Sequence, residues 1–93
     1  MVTDIDTSDG SLLARLVAGD EHALTEMYDR YVTMVQAIAA RVTRDAALAE
    51  DVAQDVFVAL WRRPLAFDPG RGSLRGWLAT VARRRAIDVV RRE

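Results

Sequence analysis

Residues 20–42 read DEHALTEMYDRYVTMVQAIAARV, and their pattern sets the architecture of the whole chain. Apolar side chains recur in this segment every three or four positions, which is the spacing of one face of an α-helix. The stripe consists of Leu24, Met27, Tyr28, Tyr31, Val35, Ile38 and Val42. Asp20 precedes the stripe as a natural N-cap, because its short side chain can accept from a backbone N–H of the first turn. The segment predicts a long helix with one face in a core.

The chain before Asp20 divides into a tail and a short helix. Residues 1–10 contain three Asp and no apolar run, which predicts a flexible acidic tail. A first helix is expected from about Ser11 to Ala18, where Gly19 ends it. Ninety-three residues suffice for one modest core. We therefore expect residues 11–93 to form a single helical domain.

Two further helices and one loop are predicted after residue 42. A third helix runs from about Asp45 to Arg63, because Pro64 disfavours helix in the residue before it. Residues 65–72 are rich in turn formers and predict a loop, after which Ser73 caps a fourth helix that extends to about Arg92. No strand-like alternation persists. The expected fold is all-α, a compact bundle of about four helices with one functional loop before the last helix.

The composition excludes several classes of protein. There is no Cys and only one His, His22, so disulfide frameworks, thiolate metal sites and His-rich sites are excluded. No nucleophile–base pair or phosphate-binding glycine motif is present, so we predict that the chain is not an enzyme and uses no metal or other cofactor. The acidic N-terminus and the lack of a long apolar run predict a cytoplasmic protein without membrane insertion.

The charges are divided unevenly along the chain. Residues 1–61 carry eleven acidic residues and four Arg, whereas residues 62–93 carry nine Arg and three acidic residues. Such a division indicates that the C-terminal third faces a polyanion, with nucleic acid favoured over a role in solubility alone. Every basic residue is Arg, for which a GC-rich genome is the simplest explanation, although Arg also binds phosphate and guanine well.

One face of the third helix supplies the core, and the opposite face mixes acidic, amide and apolar side chains without an obvious internal partner. That face consists of Asp51, Gln54, Asp55, Val58 and Trp61. A large aromatic residue among polar groups is typical of an interface anchor. The alternative is that Trp61 and Phe57 merely cover a helix end.

The fourth helix and the loop before it are candidate nucleic-acid contacts. A basic polar stripe with its flanks lies opposite an apolar side, as expected for a helix that lies along DNA. The stripe comprises Trp77, Thr80, Arg83, Arg84, Ile87, Asp88 and Arg91, and the loop adds Phe67, Arg71, Gly72 and Ser73. The loop could hold a phosphate or an unstacked base, although such a loop is more often a plain turn. An Arg-rich helix on an anionic membrane is disfavoured, because bulky apolar residues are scarce.

Three motifs carry a resemblance to a known family. They are AEDVAQDVF at residues 49–57, FDPGRGS at 67–73, and WL at 77–78 followed by ARRRAID at 82–88. In this order and spacing they resemble conserved region 2 of the extracytoplasmic-function (ECF) sigma factors of the sigma-70 family. The resemblance extends from about Leu12 to Arg92.

The resemblance implies a bacterial transcription initiation factor domain that binds RNA polymerase core and recognises and melts the promoter minus-10 element. Asp51, Gln54, Asp55, Val58 and Trp61 would bind the clamp helices of the β′ subunit. The loop would receive a base flipped from the single-stranded minus-10 element, and the fourth helix would contact the upstream end of that element. An anti-sigma factor is a further implied partner.

Two departures from the family limit what can be carried over. Many members have Asn where this chain has Arg84, and Arg prefers the acceptor edge of guanine or a phosphate, so the base preference cannot be copied. Members also continue into a second domain that reads the minus-35 element, and we expect this chain, which stops at Glu93, to be an excised or incomplete part. The main alternative is a helical protein-interaction module with no DNA-binding role; a nucleic-acid-modifying enzyme lacks the catalytic groups.

Overall fold

The structure is a computed structural model that describes residues 3–92, with side-chain surroundings for residues 9–92. It contains four α-helices and, between the last two, two short 3-10 helices. Their bounds are α1 Thr3–Val17, α2 Glu21–Thr43, α3 Ala46–Arg62 and α4 Leu74–Arg92, with the 3-10 helices at Pro64–Ala66 and Pro69–Arg71. Residues 3–92 contain no strand. The predicted all-α fold of about four helices is confirmed.

Side-chain caps fix where three of the helices begin. The Asp20 carboxylate accepts from the His22 N–H at 2.9 Å, and the Ser73 hydroxyl accepts from the Gly76 N–H at 3.0 Å. Both caps were predicted from the sequence. Asp45 caps α3 in the same way by accepting from the Leu48 N–H at 3.1 Å. Each cap satisfies a backbone donor that has no partner within its helix.

Helix α2 is the central element, because it packs against each of the other three helices. Its buried stripe is Ala23, Met27, Tyr31, Val35 and Ala39, whereas the other members of the predicted stripe, Leu24, Tyr28, Ile38 and Val42, are half-buried. The rest of the core comes from Leu12, Leu13 and Leu16 of α1, Ala49, Val52, Ala53, Val56, Phe57 and Leu60 of α3, Leu74, Leu78, Ala82 and Ala86 of α4, and Phe67. Phe57 is therefore a core residue, and its ring meets the Tyr28 ring edge-on at 5.1 Å.

Helix α1 begins at Thr3, not near Ser11 as the sequence predicted. The segment interpreted as a tail is thus helical from Thr3 onward, while Met1, Val2 and Glu93 lie outside the described residues. Contacts with α2 explain the extension. Asp9 accepts a hydrogen bond from Arg30 at 2.7 Å and another from the Tyr31 hydroxyl. These contacts offset the roughly 1 kcal/mol that a glycine such as Gly10 costs inside a helix.

A second set of ion pairs fixes the other end of α1. Arg15 donates to Asp20 at 2.9 Å and to Glu26 at 2.7 Å, so one guanidinium joins α1, the turn and α2. The hydrogen bond from Arg15 holds the pKa of the Asp20 carboxyl below its ordinary value. Among residues 3–92, none of the helices combines the length and apolar character needed to cross a bilayer.

Candidate functional site

The five residues predicted as an interface on α3 lie together on its outer side, and we call them the acidic face of α3. Asp51, Gln54, Asp55 and Val58 are exposed, and Trp61 is half-buried against the core. Neither aspartate forms an ion pair with any side chain of residues 9–92. The face therefore presents two uncompensated negative charges beside Val58, whose residue surface is 45% exposed.

A shallow apolar hollow borders this face. It measures about 300 Å³ and lies between α3 and the N-terminal half of α2. Leu24, Thr25 and Tyr28 line it from α2, and Gln54, Phe57 and Val58 line it from α3. The sequence did not reveal the hollow, because Leu24 and Tyr28 belong to the predicted core stripe and both remain partly exposed. The acidic face therefore has an open apolar recess beside Val58.

The basic stripe predicted on α4 also forms one surface. Thr80, Arg83, Arg84, Asp88 and Arg91 are exposed, and we call them the basic face of α4. Trp77 and Ile87, predicted as its flanks, are half-buried. The four charged residues of this face form no ion pair with any side chain of residues 9–92. They are Arg83, Arg84, Asp88 and Arg91. The face therefore has unpaired guanidinium groups available to an anion.

The loop before α4 is held in shape by its own polar groups. Asp68 accepts from the Gly70 N–H at 2.9 Å, and Gly72 has a φ of +147°, which side-chain-bearing residues rarely adopt. Arg71, Gly72 and Ser73 are exposed, as a contact with nucleic acid requires. Together they bring a guanidinium, open backbone and a hydroxyl to the N-terminus of α4.

Phe67 occupies a different environment from that predicted. Its residue surface is only 7% exposed, and its ring lies 6.0 Å from the Trp77 ring. In this conformation Phe67 supports the loop and does not offer a free ring face for a base to stack on. The sequence could not decide this, because an aromatic residue in a loop is buried or exposed according to what packs over it.

A cavity of about 490 Å³ separates α1 from the loop. Leu13, Ala14 and Val17 line it from α1, and Phe67, Pro69, Gly72, Ser73 and Leu74 line it from the loop and the start of α4. Phe67 thus contributes to the wall of a cavity that the exposed loop residues border. The sequence predicted a role for the loop but no contribution from α1.

A second cavity of about 490 Å³ lies between α2 and α4. It brings Arg41 of α2 beside Thr80 and Arg83 of the basic face. Arg41 was not predicted as a contact residue, because it lies in the acidic N-terminal two-thirds of the chain. The only signal in the sequence was an arginine one residue before the end of the α2 apolar stripe.

The hollow beside the acidic face and the cavity beside the basic face border different halves of α2. The hollow beside the acidic face reaches Tyr28, and the cavity beside the basic face begins at Ile38. Ten helical residues span about 15 Å along the axis, so the two neighbourhoods are well separated. Within residues 9–92 no group of three or more His, Asp or Glu side chains is placed to hold a metal ion.

Comparison with known proteins assigns the family. The family model for sigma-70 region 2 matches residues 27–93, well over half of the chain. This chain belongs to the sigma-70 region 2 family. The match contains the acidic face of α3, the loop and the basic face of α4, so every predicted contact residue of this region 2 chain lies inside it. The contact roles of the individual residues stay predictions.

Curated relatives of this region 2 chain are ECF sigma factors, which confirms the predicted resemblance. The ECF RNA polymerase sigma factor SigK of Mycobacterium tuberculosis strain H37Rv is 41% identical over 88 residues, which are 94% of this chain and 47% of that protein. The SigK of Mycobacterium ulcerans strain Agy99 is 39% identical over 83 residues, which are 89% of this chain and 44% of that protein. The SigK of Mycobacterium sp. strain KMS is 38% identical over 93 residues, which are 100% of this chain and 46% of that protein. The chain spans about half the length of these relatives.

Proposed function

We propose that this chain is the part of a bacterial transcription initiation factor that binds RNA polymerase core and recognises and melts the promoter minus-10 element. The observation that carries the proposal is the presence of two separate exposed faces of opposite charge on a chain of the sigma-70 region 2 family. The relatives, named as ECF RNA polymerase sigma factors, support the same role. They are about twice as long as this chain, so the proposal concerns only the region that they share with it.

In this proposal the acidic face of α3 binds the clamp helices of the polymerase β′ subunit. Asp51 and Asp55 repel each other across one helical turn, a local cost that basic side chains of a partner would offset. Val58 and the hollow next to it would accept an apolar side chain, while the half-buried Trp61 forms the edge of the contact. A charged rim around an apolar centre is the usual composition of a specific interface.

The loop and the basic face of α4 contact the minus-10 element. Arg84 and Asp88 lie one turn apart and can contact base edges in the duplex at the upstream end. The cavity beside Gly72 and Ser73 would receive a base flipped out of the stack, which costs a few kcal/mol that contacts in a formed cavity offset. The Ser73 hydroxyl oxygen accepts from Gly76, so its proton can be donated to a base or phosphate acceptor.

The remaining partners follow from this role. The proposed function consists of binding and deforming DNA, so it requires no covalent reaction and no cofactor. The site of action is the cytoplasm, where RNA polymerase acts. An anti-sigma factor that covers the two faces would hold the chain inactive. Family membership does not favour the alternative of a protein-interaction module without a DNA-binding role.

Simultaneous binding of both partners tests the proposal. A fluorescently labelled single-stranded minus-10 oligonucleotide is bound to the chain, and a β′ clamp-helix fragment is then added to saturation. Because the two faces lie apart, we expect fluorescence anisotropy to rise again as a ternary complex forms. Displacement of the oligonucleotide by the fragment, or failure of the chain to bind either partner, would contradict the proposal.

A further inference from the structure

The cavity between α2 and α4 has the composition of an anion site. Its apolar floor consists of Ile38, Val42 and Ala79, and its polar groups are Arg41, Thr80 and Arg83. All three polar residues are exposed at the rim. No acidic residue lines the cavity, so two guanidinium groups border one opening with no negative charge in its wall.

The ion pairs of the structure lie elsewhere. The three that join side chains of residues 9–92 involve Arg15 and Arg30, at the end of the bundle where α1 meets α2. Arg41 and Arg83 take part in none of them. Two like charges from different helices beside one cavity repel each other. An anion between them adds two attractions, which outweigh that repulsion because the anion is closer to each charge.

The chemistry of the rim favours a phosphodiester group over other anions. A guanidinium donates two parallel hydrogen bonds to phosphate oxygens, and the Thr80 hydroxyl adds a third donor. Thr80 and Arg83 also belong to the basic face of α4, so a strand that follows this face passes over the cavity. A polynucleotide supplies a phosphate there without any additional ligand.

We propose that Arg41 of α2 and Arg83 of α4, together with Thr80, hold one backbone phosphate of the promoter strand. The inference rests on the proposed function, since the phosphate belongs to the DNA that the basic face contacts. Such a contact carries no sequence information, but it fixes the register in which Arg84 and the loop meet the bases. Arg41 is then a positioning residue and not a reader of sequence.

The salt dependence of DNA binding tests the inference. Affinity of the full chain for a minus-10 oligonucleotide and for a scrambled one is measured by anisotropy from low to moderate salt, for the wild type, Arg41→Ala, Arg83→Ala and the double variant. Arg41→Lys keeps the charge, and Arg62→Ala removes an exposed arginine from the end of α3 as a matched control. Far-UV circular dichroism verifies that each variant is folded.

We expect Arg41→Ala to weaken binding of both oligonucleotides by the same factor. Its log–log salt slope should fall by part of the roughly 0.7 that one phosphate on a single strand contributes, and the double variant should lose the whole of that contribution. Arg41→Lys should keep most of the slope, and Arg62→Ala should match the wild type. Because both arginines hold one phosphate, the double variant should lose less than the product of the two single losses.

The outcomes separate this inference from the proposed function. Wild-type affinity and slope in Arg41→Ala would overturn the phosphate site, even if the wild type selects the minus-10 sequence. Loss of slope in Arg41→Ala without any sequence preference in the wild type would support the phosphate site and contradict the proposed promoter recognition. Absence of wild-type binding at low salt would overturn both.

Discussion

Asp9 accepts hydrogen bonds from two side chains of α2, the Arg30 guanidinium and the Tyr31 hydroxyl. The Asp9 side chain is 12% exposed, and Tyr31 is buried. Burial, and secondarily the hydrogen bond to Asp9, raises the pKa of Tyr31 to about 12. Ionisation of Tyr31 would remove the donor and place two negative charges side by side.

This contact predicts a loss of stability in alkaline solution. The folded-state pKa lies above the ordinary value of 10, so its contribution is complete below pH 10 and is lost as the pH rises towards 12. The free energy of unfolding should fall by about 2 kcal/mol over that range. Urea unfolding of the wild type and of Tyr31→Phe, which cannot ionise, measures the difference. Equal pH dependence of the two proteins would contradict the assignment.

Arg84 is the residue for which the family gives no guide to base preference. It is exposed at the centre of the basic face, and Arg92 on the same helix is exposed outside that face. We expect Arg84→Ala to weaken binding of the preferred minus-10 oligonucleotide by about 1–3 kcal/mol if it contacts guanine, and Arg92→Ala to have a smaller effect. Anisotropy measures both. Equal losses in the two variants, or concurrent loss of clamp-helix binding, would argue against a specific contact.

The exposure of some single residues could be predicted from the sequence, and that of others could not. The exposure of Thr80, Arg84 and Asp88 follows from helical spacing alone. Val90, however, is 43% exposed, although it continues at four-residue spacing the buried line that begins at Leu74 and reaches Ala86. Steps of four residues advance 400° around a helix, so the line from Leu74 drifts by about 40° per step and leaves the core before Val90. The burial of Phe67 depended on tertiary packing, which no local pattern records.

The turn between α1 and α2 is an element whose geometry requires glycine. Gly19 has a φ of +89°, its N–H donates to the Leu16 carbonyl, and the Asp20 N–H donates to the Arg15 carbonyl, both at 2.9 Å. This pattern is the Schellman motif, in which the left-handed residue ends the helix. No atom lies within 4 Å of where a Cβ on Gly19 would be, so substitution affects backbone strain and not packing.

We therefore expect Gly19→Ala to lower the free energy of unfolding by about 1 kcal/mol, the cost of a left-handed conformation for a residue with a Cβ. Gly10→Ala is a matched control, because Gly10 lies inside α1 and its added Cβ would also meet open space. It should raise stability by up to about 1 kcal/mol through helix propensity. Urea unfolding of both variants measures the contrast, and the same sign for both would contradict it.

Helix α3 combines a buried face with the acidic face proposed to bind polymerase. Asp51→Ala removes one partner of the Asp51–Asp55 repulsion, so we expect a small gain in stability of about 0.2–0.5 kcal/mol. The same change should weaken binding of the clamp-helix fragment and leave DNA affinity unchanged. Glu50→Ala removes a neighbouring exposed acid outside the acidic face and serves as control. Titration calorimetry measures clamp binding, and equal losses in Asp51→Ala and Glu50→Ala would indicate only a general charge effect.

The extent of the elements was predictable except at the N-terminus. Caps at Asp20 and Ser73 and the break at Pro64 locate helix ends from local chemistry. The additional turns of α1 depend on Asp9 reaching Arg30 and Tyr31, which lie 21 and 22 residues away. Local propensity cannot record such a contact, because it depends on how α1 crosses α2.

At the scale of the whole molecule, α2 borders both proposed contact surfaces and is also the centre of the core. Its N-terminal half walls the hollow beside the acidic face, and its C-terminal half walls the cavity that contains Arg41 and Arg83. The charge division in the sequence predicted that the C-terminal third faces a polyanion, and the mixed face of the third helix predicted a second partner. Only the fold shows that both proposed contacts share one helix as a wall and still lie apart, since cavities between helices depend on tertiary packing.

The most direct test of the proposed function is the base selectivity of the chain. Its affinity for single-stranded minus-10 oligonucleotides, varied one base at a time, is measured by anisotropy at two salt concentrations with the clamp-helix fragment bound. We predict that substitution of the base captured beside the loop costs about 1–3 kcal/mol at both salt concentrations, because base contacts, unlike phosphate contacts, depend on sequence. Equal affinity for every variant at both salt concentrations would contradict promoter recognition by this chain.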